Sequence, residues 1–233
     1  MKLSVLPLFL LPAFLLSCSG ESDYRDIRDY YFPLKDLEEG LVYEYAPVGN
    51  DSLAPNYWYY RSFIFKDSVF LTGTYYEYEL LPLQFTREEL VHNGMLLQEI
   101  SLYERDTTGE QLRVPVEVEA GNLFPFMVRD SGGVFLYKVS WSSPLDPGAT
   151  VRVIKHHRFA GDTTYRYKGE LYDAVTFELR ELFEYDQEGV LEQEYGGIEI
   201  YAEDLGLVYY RKDITPDFQL EYRLADRYPM KKL

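Results

Sequence analysis

The sequence predicts an all-β protein, a single antiparallel meander sheet curved into a half-barrel or barrel-like sandwich with little helix. Three observations predict it. From residue 30 onward apolar and polar residues alternate with period two, in segments rich in tyrosine, phenylalanine and β-branched side chains. Glycine, proline and asparagine break these segments at short intervals, as turns require. No long stretch carries an apolar stripe at i, i+3, i+4 and i+7, so helix is a minor component. A meander of many strands curls, because the twist of each strand adds to that of the next.

The chain opens with what reads as a lipoprotein signal peptide over residues 1–17. Lys2 supplies the basic start, residues 3–16 the apolar run, and Ser17 the small residue before Cys18, the single cysteine. A spanning helix does not fit: the apolar run covers about 21 Å as a helix, short of the roughly 30 Å hydrocarbon core, and Pro7 and Pro12 weaken it further. A plain secretory signal would leave Cys18 as a lone thiol in an oxidising compartment. By its resemblance to bacterial lipoproteins, the mature chain begins at Cys18, whose sulfur carries a diacylglyceryl group and whose amino terminus can be acylated as well. At about 0.8 kcal/mol per buried methylene, two or three chains hold a protein on a bilayer far longer than one.

Residues 18–28 are charged and lack an apolar period, and we read them as an acidic tether. Ser19, Gly20, Glu21, Ser22 and Asp23 are similar to the acidic segment after the acylated cysteine of some surface-exposed Gram-negative lipoproteins. Ser19 beside the cysteine leans, by the same resemblance, towards the outer membrane. The β-rich domain occupies residues 29–233, with a short helical turn expected within residues 29–36.

Strands are expected over residues 41–46, 57–66 and 68–80, the last two separated by a tight turn at Lys66-Asp67. Asn93-Gly94 predicts a two-residue hairpin with positive φ at both central positions. A second hairpin turns near Thr107, Thr108, Gly109 and Glu110, and residues 121–125 are expected to break the pattern. Residues 134–141 form a strand, and a turn follows at Asp146, Pro147 and Gly148. Residues 150–159 are expected to pair with 163–168 through Gly161-Asp162. Residues 174–185 turn at Gln187, Glu188 and Gly189 into 190–195, Gly196-Gly197 bends the chain, and 198–202, 207–211 and 218–224 complete the set.

The 233 residues suit one domain or two small ones, large enough to bury roughly 70 % of the unfolded surface without disulfides. Removing residues 1–17 takes away one cation, Lys2, and moves the formal charge from −16 to −17. Such a surface repels phosphate backbones and anionic headgroups, which disfavours nucleic acid as a partner and leaves membrane attachment to the lipid on Cys18.

Tyr31-Phe32-Pro33-Leu34, then Gly40 and Tyr43-Glu44-Tyr45, together with Tyr201-Ala202 and Gly206-Leu207-Val208, carry a family resemblance. The chain resembles a broad group of uncharacterised bacterial lipoproteins and secreted proteins. These begin with a Phe-Pro-Leu, Gly, Trp-x-Tyr strand and end with a Tyr-Ala-x-x-x-Gly-Leu-Val strand. Here Tyr43 replaces the usual tryptophan and Glu203-Asp204 the usual Pro-Gly. The resemblance implies a curved antiparallel sheet and a cell-envelope location, and it brings no catalytic residues.

No nucleophile elbow, zinc-protease helix, phosphate loop, Cys-x-x-Cys pair or calcium loop occurs, so no catalytic residue, metal ligand or cofactor is assigned. His156 and His157 are strand neighbours that point to opposite faces and cannot chelate one ion side by side; His92 sits at a hairpin mouth. Glu77 and Glu79 are expected on one face with Tyr76 and Tyr78 on the other, the appearance of a half-buried strand. The run Tyr57, Trp58, Tyr59 and Tyr60 is the candidate ligand-binding surface, because rigid rings with polar tips suit recognition. The competing explanation is cross-strand packing.

These observations favour a non-catalytic lipoprotein that binds a ligand or partner, whether glycan, lipid or protein, on the concave side of its sheet. A half-barrel lipid carrier would require a continuous apolar lining, against which Arg152, Lys155 and Arg158 in one segment weigh. A glycan hydrolase would require two converging acids in a cleft.

Overall fold

A computed structural model of the protein describes residues 24–50, 52–106, 108–129, 133–146 and 148–230. The signal segment and Cys18 lie outside the described residues. A short strand β1 (Tyr24–Asp26) and a 3-10 turn at Arg28–Tyr30 lead into β2 (Leu41–Pro47), β3 (Asn56–Ile64), β4 (Val69–Tyr76) and β5 (Pro82–Val91). Then come β6 (Gly94–Arg105), β7 (Gln111–Pro125), β8 (Met127–Arg129), β9 (Val134–Ser142) and β10 (Thr150–Tyr167). The chain ends with β11 (Glu170–Asp186), β12 (Val190–Ala202), β13 (Gly206–Thr215) and β14 (Phe218–Tyr228).

The twelve strands β2 to β7 and β9 to β14 form a closed antiparallel barrel, and β1 pairs with β8 in a separate two-stranded ribbon. Barrel neighbours are consecutive in the chain except at two seams, β14 against β2 and β7 against β9. The all-β meander expected from the sequence is therefore present and fully closed, which removes the two long edges an open half-barrel would expose.

Alternation sorts side chains between lumen and outside. The outer wall carries cross-strand ion pairs, among them Arg152 with Glu184 at 2.6 Å, Lys138 with Glu119 at 2.5 Å and Arg113 with Glu99 at 2.7 Å. A barrel that crosses a membrane carries an outward apolar band; these pairs put charge on the outer wall. The core is built from Tyr43, Tyr45, Tyr60, Leu71, Met95, Phe124, Phe177, Val208 and Leu224 on the strands.

Residues 27–37 fold across one end of the barrel and plug it. Ile27 and Leu37 are fully buried, Tyr31 and Phe32 nearly so. The segment is tied to strand ends by Ile27 N–H donating to the Phe126 carbonyl (2.8 Å), Ser62 N–H to the Leu37 carbonyl (2.9 Å) and Asp204 N–H to the Asp29 carbonyl (3.2 Å). The expected tether over residues 18–28 is corrected at its end: Tyr24–Asp26 is a strand and Ile27 belongs to the core. The physical reason is Ile27 itself, one apolar side chain in a charged stretch, beside Arg28 stacked 5.0 Å from the Phe126 ring.

Four glycine-bearing sites differ from their sequence reading. The β5–β6 hairpin exists, but Val91 pairs with Gly94, so its turn residues are His92 and Asn93, and neither Asn93 nor Gly94 has positive φ. Gly94 is required by crowding, since a Cβ there would lie 2.2 Å from the Phe124 carbonyl oxygen. Gly161 (φ +125°) is a bulge within one continuous β10, and the hairpin instead turns at Lys168-Gly169. Residues 121–125 and Gly196-Gly197 remain within β7 and β12. At Gly121 and Gly197 a Cβ would meet the carbonyl oxygens of Leu97 (2.6 Å) and Arg211 (2.4 Å), so these glycines permit close backbone approach. Residues 77–81 are a turn, with Leu80 at φ 60°, so Glu77 and Glu79 do not share a strand face.

Candidate functional site in the barrel lumen

The inward series of β10 runs Val151, Val153, Lys155, His157, Phe159, which sets two ionisable groups among apolar ones. Register places Glu181 of β11 opposite Lys155, and Glu199 of β12 opposite Phe177 of β11. On β13, Lys212 lies opposite Gly197. Lys155 Nζ sits 3.2 Å from Glu181 Oε2, and Lys212 donates to the other Glu181 oxygen. His157 Nε2 lies 3.5 Å from Glu199 Oε2, which also accepts from the Tyr201 hydroxyl at 2.8 Å. The second ring nitrogen of His157, Nδ1, is buried and has no hydrogen-bond partner among the described residues.

Across the lumen β5 contributes Gln84, Thr86 and Glu88. The Tyr31 hydroxyl, delivered by the plug, donates to the Glu88 carboxylate. Trp58 stacks with Tyr60 (5.6 Å) and with Tyr75 (5.2 Å). Gly73 makes this possible, since a Cβ there would lie 3.0 Å from the Tyr60 ring and 3.3 Å from Trp58.

These walls enclose a cavity of about 240 Å³ lined by Glu88, Lys155, His157, Glu199, Trp58 and Tyr201. A second space of about 300 Å³, lined by Tyr75, Glu181, Tyr210 and Lys212, shares Lys155 and Glu199 with the first and leads away from the plug. Polar contacts brace its wall: Asn56 Nδ2 donates to the Tyr210 hydroxyl (2.6 Å) and the Tyr75 hydroxyl donates to Asn56 Oδ1 (2.9 Å).

The two lumenal acids are driven in opposite directions. Burial raises Glu88 to about 7, only partly offset by the Tyr31 hydrogen bond, so the carboxyl holds its proton close to neutrality. Burial also disfavours the charge on Glu199, but His157, Lys155 and Tyr201 outweigh it and hold that group at about 2. Burial opposes charge on Glu181 too, and Lys155 with Lys212 overcome it and lower the group. For Lys155 burial is outweighed by Glu181 and Glu199, and its pKa is raised. The lumen therefore combines a proton donor, a fixed carboxylate, two ammonium groups and aromatic walls, the repertoire of a polar small-molecule site.

The four aromatic residues singled out in the sequence do not form one surface. Trp58 and Tyr60 point into the lumen, Tyr60 only 5 % exposed, while Tyr57 and Tyr59 point outward. Tyr59 covers Gly40, where a Cβ would lie 2.1 Å from its hydroxyl. His156 is exposed outside the barrel, His157 is buried inside and His92 is in a turn. Among the described residues no group of three or more His, Cys, Asp or Glu is placed to hold a metal ion. Lys155, His157, Glu181 and Glu199 were not identified from the sequence as a set. Their signal was parity: a lysine and a histidine in an otherwise apolar inward series.

A scan of protein-family models returned no match, and a search of curated proteins returned none either. Among solved structures the chain is similar to a "putative lipoprotein" from Parabacteroides distasonis, with a TM-score of 0.50 and 9 % identity over 85 % of this chain and 98 % of that one. It also aligns with a "putative exported protein with YmcC-like fold" from Bacteroides fragilis, with a TM-score of 0.46 and 12 % identity over the same shares of the two chains. The first likeness shows a shared fold.

Proposed function

We propose that this chain is a lipoprotein of a bacterial cell envelope, anchored through Cys18 in the outer membrane, whose barrel is a non-catalytic binding domain for a small polar ligand held in its lumen. The supporting observation is the charged lining. Buried ion pairs often stabilise less than apolar groups of equal volume. Lys155, Glu181, Glu199 and Lys212 inside the wall are thus better explained as binding groups than as structural ones. The same lining argues against a lipid carrier, which needs an apolar channel. The anchor is supported by the Ser17-Cys18 junction and by a shared fold with a protein described as a lipoprotein.

The test is a binding screen on the domain from Tyr24 onward, reading the intrinsic fluorescence of Trp58 and Trp141, with Lys155→Met and Glu199→Gln as controls. A ligand whose signal vanishes in both controls supports the reading. A ligand that binds both variants unchanged places its site elsewhere. Mass spectrometry of protein made in its native host checks the anchor, and an unmodified residue 18 removes it.

A second reading rests on a different observation. Glu88 and Glu199 line one cavity with opposed proton affinities, the pattern that separates a general acid from a carboxylate partner in glycan hydrolases. Turnover of a glycan library that is lost in Glu88→Gln and in Glu199→Gln separately would favour it over pure binding.

A further inference from the structure

We propose that residues 190–195 of β12, at the end of the barrel away from the plug, accept an added β-strand from an extended partner segment that alternates basic and apolar residues. This goes beyond the lumenal site and is independent of it.

β11 pairs with β12 from Asp186↔Val190 onward, whereas β13 pairs with β12 only from Gly196↔Asp213. The outer edge of residues 190–195 therefore meets no strand, and no backbone hydrogen bond outside the β11 ladder involves it among the described residues. Six residues of strand run roughly 20 Å, the length of an ordinary pairing segment. Among the described residues nothing covers the edge: residues 190–194 are all exposed, with Val190 and Leu191 each 58 % accessible.

A second stretch of the same barrel shows how such an edge is otherwise handled. β7 pairs with β9 only from Glu117↔Ser140, which leaves residues 111–116 without an outer neighbour. That stretch contains Pro115, which has no N–H to offer, and Arg113. Proline and cations are standard means of blocking edge-to-edge pairing. Residues 190–195 hold neither a proline nor a cation.

Charge then selects the partner. Glu192 and Glu194 share one face, and Glu184, Asp186 and Glu188 lie in the same hairpin; Arg180 pairs with Glu194 and Arg152 with Glu184, which leaves Asp186, Glu188 and Glu192 as the acidic excess. A second copy of this chain would set glutamates against glutamates, which disfavours self-pairing. Lysine or arginine opposite Glu192, beside the Glu194–Arg180 pair, with apolar residues opposite Leu191, satisfies both faces and steers the encounter.

The test uses the domain from Tyr24 onward and a short synthetic peptide alternating lysine and valine. Hydrogen–deuterium exchange under saturating peptide is expected to show new protection at residues 190–195, and Glu192→Lys with Glu194→Lys to weaken binding by about tenfold or more. Both positions are exposed, and an unchanged thermal midpoint confirms that the variant folds. A backbone N-methylated copy of the peptide is expected not to bind. The proposal is overturned by absence of protection there at saturating peptide, by equal binding of the N-methylated copy, or by protection of the same residues on raising protein concentration alone, which would identify a second copy as the occupant.

Discussion

At the plugged end of the barrel, Ile27, Phe32 and Leu37 pack against Tyr43, Tyr60 and Val208, and the Tyr31 hydroxyl bonds Glu88. Directly beyond the plug the same lumen holds Lys155, His157 and Glu199, and Glu181 and Lys212 further along it, around open space. One wall of alternating residues builds both, so the difference lies in what each inward position carries. Apolar burial stabilises by about 25 cal/mol per Å², while charges brought inside must recover their lost hydration from one another. The plugged end is where stability is made, and the charged region is where part of it is given up.

The largest effect is expected from breaking the plug. Phe32 lies 4.3 Å from the Tyr60 ring, 5.2 Å from Tyr31 and 5.5 Å from Tyr43, and it occupies the space that Gly206 leaves open. Phe32→Ala should lower unfolding free energy by about 3–5 kcal/mol, read from urea denaturation. A smaller loss than Lys155→Met would invert the comparison between the two regions.

Within the charged region, removing one partner should hurt more than removing the set. Glu181→Leu leaves Lys155 and Lys212 without their shared carboxylate and should cost about 2 kcal/mol, because both lysines remain about a third exposed and water recovers part of the loss. The triple change Glu181→Leu, Lys155→Met, Lys212→Met should restore most of that stability. If the triple variant is as unstable as the single one, the charges hold the barrel together and the functional argument from their cost fails.

The two acids sharpen the contrast through pH. Glu88 is raised in the folded state, so the native protein binds the proton more tightly and stability falls as pH rises from about 4.5 to about 7. The expected loss is on the order of 2–3 kcal/mol. Glu199 is lowered, so its contribution is present above about 4.5 and is lost as pH falls towards 2. These two groups together place the stability maximum near pH 4.5. Glu88→Gln should flatten the alkaline side of the profile and leave the acid side unchanged; a profile that keeps its alkaline fall would assign that fall to another group.

The strands were legible because alternation and turn residues are local signals. Lys66-Asp67 and Gln187-Glu188-Gly189 turn where expected, and the series 41–46 became β2 almost unchanged. Glycine was misread wherever its role was set by a distant backbone. Gly94 answers to Phe124, Gly121 to Leu97 and Gly197 to Arg211, and none of these contacts is visible along the chain. Closure at the β14–β2 and β7–β9 seams is equally non-local. The lumenal site was hidden for a related reason: parity assigns Lys155 and His157 to one face of β10, but only closure turns that face into an interior. The same parity separates Trp58 and Tyr60 from Tyr57 and Tyr59, and that separation was available from alternation alone.

The smallest effect is expected outside the wall, where ion pairs have the same chemistry as those in the lumen and almost none of their consequence. Arg180 donates to Glu194 at 2.8 Å, yet both side chains are more than half exposed. Water already satisfies each charge, and salt screens what remains. Arg180→Ala should therefore leave the unfolding midpoint unchanged within measurement, in low and in high salt. A clear loss at low salt that vanishes at high salt would mean that this outer charge ladder acts cooperatively, and the contrast between lumen and surface would then rest on geometry rather than on burial.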